Sequence, residues 1–312
     1  MTNYNVLLLN KSTNFENKII SKEHIFTDIV IDMQERDLHI IDPTDKSNIS
    51  VLLIKKNCIL IKLDYLRCII TSDKLYIFST NHNRHKVFLE FLRKHYMENK
   101  DSDNPFEFII LEAILIDICN LMEDNLSSIS KQVNSFLEKI SESVNNYKLS
   151  IPIQTELLKK EIQIKEVKDL IMEVLQSDED MANMYLTRNE TITDLDESNH
   201  GELEVLLENY EKLVDEINDK LKRMIREIDI TQKIANLSLA TTRNDIAILN
   251  TKISMISISL SFGSLVASTF GMNLRNSYED NSFAFIIVSS IIICLFTTSM
   301  IISMIICKRK FE

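Results

Sequence analysis

The stretch that decides the fold is Ile253–Leu274, ISMISISLSFGSLVASTFGMNL. Its 22 residues carry no charge, which is long enough to cross a bilayer as a helix. It is not uniformly apolar. Ser254, Ser257, Ser261, Ser264 and Ser268 recur at spacings of 3, 4, 3 and 4, so they share one helical face. Ile253, Ile256, Ile258, Leu260, Phe262, Leu265 and Val266 occupy the other faces. A hydroxyl stripe along a membrane helix implies something polar for it to meet. The stretch closes on Gly271-Met272-Asn273, where glycine is expected to let the backbone turn at the helix end.

Upstream, Glu202 to Leu274 contains no proline and only two glycines, Gly263 and Gly271. A single helix of that length is on the order of 100 Å long, more than a compact domain needs. It predicts a helix that leaves a soluble domain and enters a membrane. Its soluble part carries Val205, Leu206, Leu213, Ile217, Leu221, Met224, Ile228 and Ile234, expected as a packing seam. Downstream, residues 275–281 form a polar loop and 282–307 a second charge-free span. Lys308-Arg309-Lys310 then marks a membrane edge, which places both termini on the cytoplasmic or matrix side.

The serine rhythm continues inward through Asn250, Ala247, Arg243, Ala240 and Asn236. A 3-4 repeat averages 3.5 residues, the period of a left-handed bundle. Two spans cannot enclose a channel, so a pore requires several copies around an axis, with a ring of each stripe residue. Hydroxyl rings suit a hydrated cation because they bond to its water shell without stripping it. Magnesium, which sheds its waters reluctantly, fits such a conduit. Small residues also pack helix against helix in membranes, and the stripe alone supports either reading. The Gly-Met-Asn tripeptide, between two spans and at the end of a long helix, favours the pore.

The rest of the chain is soluble in character. The net charge is -11, which argues against a nucleic-acid partner, and almost all charged residues precede Lys252. Cys58, Cys68, Cys119, Cys294 and Cys307 lack metal-ligand spacing and read as reduced, structural thiols. No histidine pair or glycine-rich loop offers a catalytic constellation, so no enzyme activity and no cofactor are expected. The opening residues show neither a secretory nor an arginine-rich transit signal: Val6 to Leu9 is apolar but adjoins no basic region.

Residues 27–80 read as mixed strands, with a hairpin across Lys55-Lys56-Asn57 and KLYIFS as a further strand. A helix is predicted over Arg84–Tyr96 with Val87, Phe88, Phe91 and Leu92 on one side. After Pro105, apolar spacing predicts helices over 106–144 and 153–175 as an antiparallel pair. The segments DEDMANMYLTRN and ITDLDESNHG read as a polar connector. The expected organisation is therefore a mixed α/β domain (1–104), a helical domain (105–201), a stalk (202–252), a first transmembrane helix (253–274), an external loop (275–281), a second transmembrane helix (282–307) and a basic tail (308–312).

These features resemble the CorA magnesium-channel superfamily, whose signature is Gly-Met-Asn between two C-terminal spans. The likeness is greatest to its eukaryotic, mitochondrial-type branch. It is carried by ERDLHIID, VLLIKKNCILIKLDYLRCIIT with DKLYIF, PFEFIILEAIL, DEDMANMYLT, and RNDIAILN leading to SLVASTFGMN. The resemblance implies an α+β soluble N-terminal domain, a long helical stalk and two transmembrane helices in a funnel-shaped homo-oligomer, a pentamer. It implies passive conduction of magnesium down the membrane potential, in the mitochondrial inner membrane or a related organelle.

Carried over by position, Gly271, Met272 and Asn273 form the selectivity mouth. Ser268, Ser264, Ser261, Ser257, Ser254, Asn250, Ala247 and Arg243 line the pore. Ala240 and Ala247 replace an aspartate and a methionine of relatives. A ring of Arg243 repels cations unless an anion or a neighbour such as Asp245 offsets it. Glu279 and Asp280 of the external loop are expected to concentrate cations. Between Gln176 and Asp219, 14 acidic residues stand against Arg188 and Lys212. Asp178, Glu179 and Asp180 are therefore candidates for a magnesium-sensing collar between subunits, a solvated surface being the ordinary role of each. Two other readings stand beside the magnesium channel: the same fold moving zinc, nickel or cobalt, and a two-span coiled-coil membrane tether.

Overall fold

The structure is a computed structural model that describes residues 3–11, 15–25, 29, 34, 37–42, 49–78, 83–102, 104–142, 150–189, 201–272 and 283–311. It forms two compact units, Met1–Ile230 and Thr231–Glu312.

Unit 1 begins with strands β1 (Asn3–Asn10) and β2 (Phe15–Ser21) and short helices α1 (Lys22–His24) and α2 (Leu38–Ile41). Strands β3 (Val51–Lys55), β4 (Cys58–Leu63), β5 (Leu66–Ile70) and β6 (Lys74–Phe78) follow. They form one six-stranded sheet in the order β2-β1-β6-β5-β4-β3. Every pairing is antiparallel. The expected hairpin forms, but Lys55 belongs to β3 and pairs with Cys58, so Lys56 and Asn57 alone make the turn. Asp64, at φ 47, turns β4 into β5, a left-handed position that Asp tolerates better than most residues.

Val6 to Leu9, weak as a local signal, lies in β1 between β2 and β6. Its partners Phe78 to Leu75 lie about seventy residues away, so tertiary pairing makes this strand. Every position of β4 and β5 is buried, which requires cover on both sheet faces. One face packs Tyr4, Val6, Leu60, Ile69 and Phe78 against Ile25 and Ile41.

Helix α3 (Asn83–Asn99) buries Phe88, Leu92 and Tyr96. Val87, expected on the same side, is 60% exposed, because the buried repeat runs 88, 92, 96 and leaves 87 off its axis. Helix α4 (Phe106–Glu142) starts after Pro105, whose carbonyl accepts from Phe108 and Ile109. Its first turns are buried nearly all round, and then only a stripe through Leu126, Ile129, Val133, Phe136 and Ile140 remains covered. Helix α5 (Ser150–Leu175) packs against α4 and tolerates Pro152 in its first turn.

Of the expected polar connector, DEDMANMYLTRN folds into α6 (Asp178–Asn183) and α7 (Leu186–Asn189), while ITDLDESNH lies outside the described residues. Met181, Ala182, Met184, Tyr185 and Leu186 are buried, and the Tyr185 ring meets Phe108 edge-on with centroids 4.6 Å apart. Glu107 of α4 accepts hydrogen bonds from Thr187. Two segments that carry the family resemblance, PFEFIILEAIL and DEDMANMYLT, therefore pack together. Glu166 of α5 likewise accepts from the Ser50 N–H and hydroxyl, 3.3 and 3.2 Å away, joining α5 to the sheet.

Helix α8 covers Gly201–Phe270. In unit 1 its buried seam is Leu203, Leu207, Val214, Ile217, Leu221 and Ile228. Of the expected seam, Ile217, Leu221 and Ile228 belong to it. Val205 and Ile234 are exposed, at 60% and 62%, since they fall outside this heptad register. Lys168 of α5 pairs with Glu211 and Asp215 of α8, and Lys220 of α8 pairs with Glu123 of α4. Helix α9 (Ala284–Phe311) completes unit 2 and runs on through the basic cluster.

Candidate pore helix

Unit 2 contains the residues that the sequence assigns to the pore. The apolar parts of α8 and α9 are long enough to span a membrane. Large apolar side chains on both, among them Ile258, Leu260, Phe285 and Ile293, are exposed. Surface of that kind is matched by lipid or by other protein, not by water.

One face of α8 is covered by α9. Ser259 is only 2% exposed and its hydroxyl lies 2.8 Å from that of Ser299. The Ser259 hydroxyl also reaches the Met255 carbonyl at 3.0 Å. Four residues on, a Cβ built on Gly263 would meet the Ile292 side chain at 3.7 Å. Met255 and Val266 are half-buried on the same side. Ser259 and Gly263 thus form a small-xxx-small notch, the usual device for close helix approach in membranes.

The stripe lies on the other side. At about 100° per residue, Ser254, Ser257, Ser261, Ser264 and Ser268 all fall within about 40° of the direction opposite Ser259. All five are exposed. Asn250, Arg243 and Asn236 keep that direction and are also exposed. On a straight helix Ala247 and Ala240 drift from it by about 60° and 80°. The stripe is therefore not the surface by which α8 packs on α9; the notch does that. Ser254 satisfies its hydroxyl on the Asn250 carbonyl at 2.8 Å, as membrane serines commonly do.

Asp245 sits about 200° around α8 from Arg243, so within one chain it cannot offset that charge. Gly271 retains a helical hydrogen bond to the Ala267 carbonyl at 3.0 Å and does not have a positive φ. An added Cβ would stand 3.4 Å from the Ala267 carbonyl oxygen, an ordinary contact. Met272 is exposed just beyond the helix end. Asn273, Glu279 and Asp280 lie outside the described residues.

Asp178, Glu179 and Asp180 form the first turn of α6, where negative charge complements the helix dipole, and the Ser177 hydroxyl caps the Asp180 N–H at 3.2 Å. Among the described residues no group of three or more His, Cys, Asp or Glu side chains is placed to hold a metal ion. Several acids of the same segment are occupied by lysines: Glu208 by Lys212, Glu211 and Asp215 by Lys168, and Glu216 by Lys220. Asp215 is the main cause that raises the Lys168 pKa.

Sequence reasoning named the stripe but missed the notch. Its signal was present: Ser259 breaks the 3-4 rhythm and has Gly263 four residues on.

Residues 8–243 match the family model described as Magnesium transporter MRS2-like. The mitochondrial inner membrane magnesium transporter mrs2 of Schizosaccharomyces pombe is 32% identical over 268 residues, which is 81% of this chain and 62% of that protein. The mitochondrial magnesium transporter MRS2 of Saccharomyces cerevisiae is 30% identical over 84% of this chain and 57% of its own length. The chain thus spans less than two thirds of the length of these relatives. The CorA magnesium transporter of Methanocaldococcus jannaschii has a similar fold, with a TM-score of 0.53 at 13% identity over 97% of this chain and 98% of that one. The full-length CmaX protein gives the same TM-score at 9% identity, over 95% of this chain and 97% of its own. With a family model matched over most of its length and the CorA fold, this chain belongs to the MRS2-like magnesium transporter family.

Proposed function

We propose that this chain assembles with copies of itself into a channel that conducts hydrated Mg2+ across a membrane down its electrochemical gradient. The observation that carries the reading is the opposition of the two faces of α8. The notch at Ser259 and Gly263 takes α9, while the stripe from Ser254 to Ser268 is left for an axis shared between subunits. Rings of hydroxyl and amide groups would hydrogen-bond to the ion's water shell rather than to the ion. Asn273, with Gly271 and Met272, would form the mouth, and Glu279 and Asp280 would raise the local cation concentration.

The family's named relatives support magnesium as the ion and the mitochondrial inner membrane as the location. Both termini would face the matrix, by the Lys308-Arg309-Lys310 cluster. A pentamer is the proposed assembly. A regulatory magnesium site at Asp178, Glu179 and Asp180 would need carboxylates from a second subunit, since one chain uses them at a helix start. Magnesium uptake by liposomes containing the wild-type or Asn273→Ala chain tests the proposal. Uptake by the wild type and its loss in the variant are expected; equal flux from both, or none from either, would remove the channel reading. Competition by Zn2+, Ni2+ and Co2+ in the same liposomes distinguishes the ions.

A further inference from the structure

We infer that the Ser259–Ser299 hydroxyl pair, with Gly263 seated on Ile292, is a rotational key that sets which face of α8 is turned to the shared axis. This rests on the channel reading. The span of α8 is apolar on most of its circumference, and apolar side chains pack equally well in lipid at any rotation about the helix axis. Ile253, Ile256, Ile258, Leu260, Phe262 and Leu265 are all exposed and supply no rotational preference of their own. A directional contact has to supply it.

Ser259 is the one buried residue of the described span, and its partner is a hydroxyl on the neighbouring helix. A rotation of α8 by one residue position, about 100°, would replace Ser259 at this contact with Ile258 or Leu260. It would also replace Gly263 with Phe262 or Ser264. Neither Ile258 nor Leu260 can hydrogen-bond to Ser299, and Phe262 cannot fit where a glycine leaves 3.7 Å to Ile292. Because the stripe lies about half a turn from Ser259, locking the notch also aims the serines. Ser259 and Gly263 are thus positioning residues: they touch no ion and fix the direction of those that would.

The test is a thiol-accessibility scan of the full chain in proteoliposomes, with Cys294→Ser and Cys307→Ser as background. Single cysteines are placed at Ile256, Ser257, Ile258, Leu260, Ser261, Phe262 and Ser264, and labelled with a membrane-impermeant cationic methanethiosulfonate. In the otherwise native helix, labelling is expected to peak at positions 257, 261 and 264. With Ser259→Leu the peak should move to neighbouring positions or flatten. In the Ser259→Ala, Ser299→Ala double variant, which adds no volume, the contrast between 257/261 and 258/262 should fall by about fivefold, while Ser259→Thr keeps it. Assembly is followed by cross-linking. A variant that assembles and keeps the native labelling peak overturns the key. If Ser259→Leu does not assemble, the double alanine variant decides. Uniformly silent stripe positions in the native background would instead overturn the channel reading, and this inference with it.

Discussion

The carboxylate of Glu107 accepts two hydrogen bonds from one residue, 2.9 Å from the Thr187 N–H and 2.8 Å from its hydroxyl. Glu107 is fully buried in the first turn of α4, where the helix dipole favours its charge, and Thr187 lies eighty residues away in α7. A buried carboxylate is tolerated only when its oxygens are satisfied, and this pair does so while anchoring the buried Tyr185 and Leu186. Glu107→Ala should cost about 3 kcal/mol, because it strands two donors. Thr187→Val should cost about 1 kcal/mol, because the backbone donor remains. Thermal unfolding of the detergent-solubilised chain reads both, and the double variant should be clearly non-additive; simple addition would mean the two residues do not act as a pair.

Asp117 occupies a comparable position on α4. It accepts from the Tyr65 hydroxyl and lies 3.7 Å from the Arg84 guanidinium, which also reaches Asp124. Burial, and then this carboxylate, push the Tyr65 pKa up. Asp117→Ala should destabilise by about 3 kcal/mol and Tyr65→Phe by about 1 kcal/mol, since the first leaves the Tyr65 hydroxyl without its acceptor and takes one of two carboxylates from Arg84. Equal losses would show that Arg84 gains nothing from Asp117.

Cys119 gives a pH signature. Burial, reinforced by Glu123, pushes its thiol from 9.0 up to about 12. A folded pKa above the unfolded one favours the protonated, folded state at and below pH 9. That contribution is lost as pH rises from about 9 to about 12. Stability should therefore decline over this window, and Cys119→Ala should flatten the decline. In the native state the thiol should resist alkylation at pH 8 and react once the chain is unfolded.

The two faces of α8 should respond differently to bulk. Ser261→Phe, on the stripe, is expected to reduce magnesium flux by about tenfold or more, by narrowing a hydrated passage. Leu260→Phe, one residue away, should leave flux within about twofold, because it adds bulk off the stripe, where the site is already apolar. Liposome uptake with matched protein incorporation measures both, and equal inhibition would argue against a serine-lined pore. Gly271→Ala should leave folding and assembly unchanged, since its backbone is ordinary and the added methyl finds room.

Local pattern determined much of this protein. The hairpin at Lys56-Asn57, the starts of α3 and α4, the long α8 and the two apolar spans follow from alternation, helical spacing, and the placement of proline and charge along neighbouring residues. The serine stripe was equally legible, because 3.6-residue periodicity is written into any helix. Tertiary structure decided what depends on distant partners. β1 became an inner strand only by pairing with β6, and DEDMANMYLTRN became a buried clasp only because Glu107 and Phe108 receive it. Periodicity groups residues onto a face but says nothing about which way that face looks. That α8 turns Ser259 towards Ser299, and its stripe away, is visible only in the packing of α9, where Gly263 leaves room for Ile292.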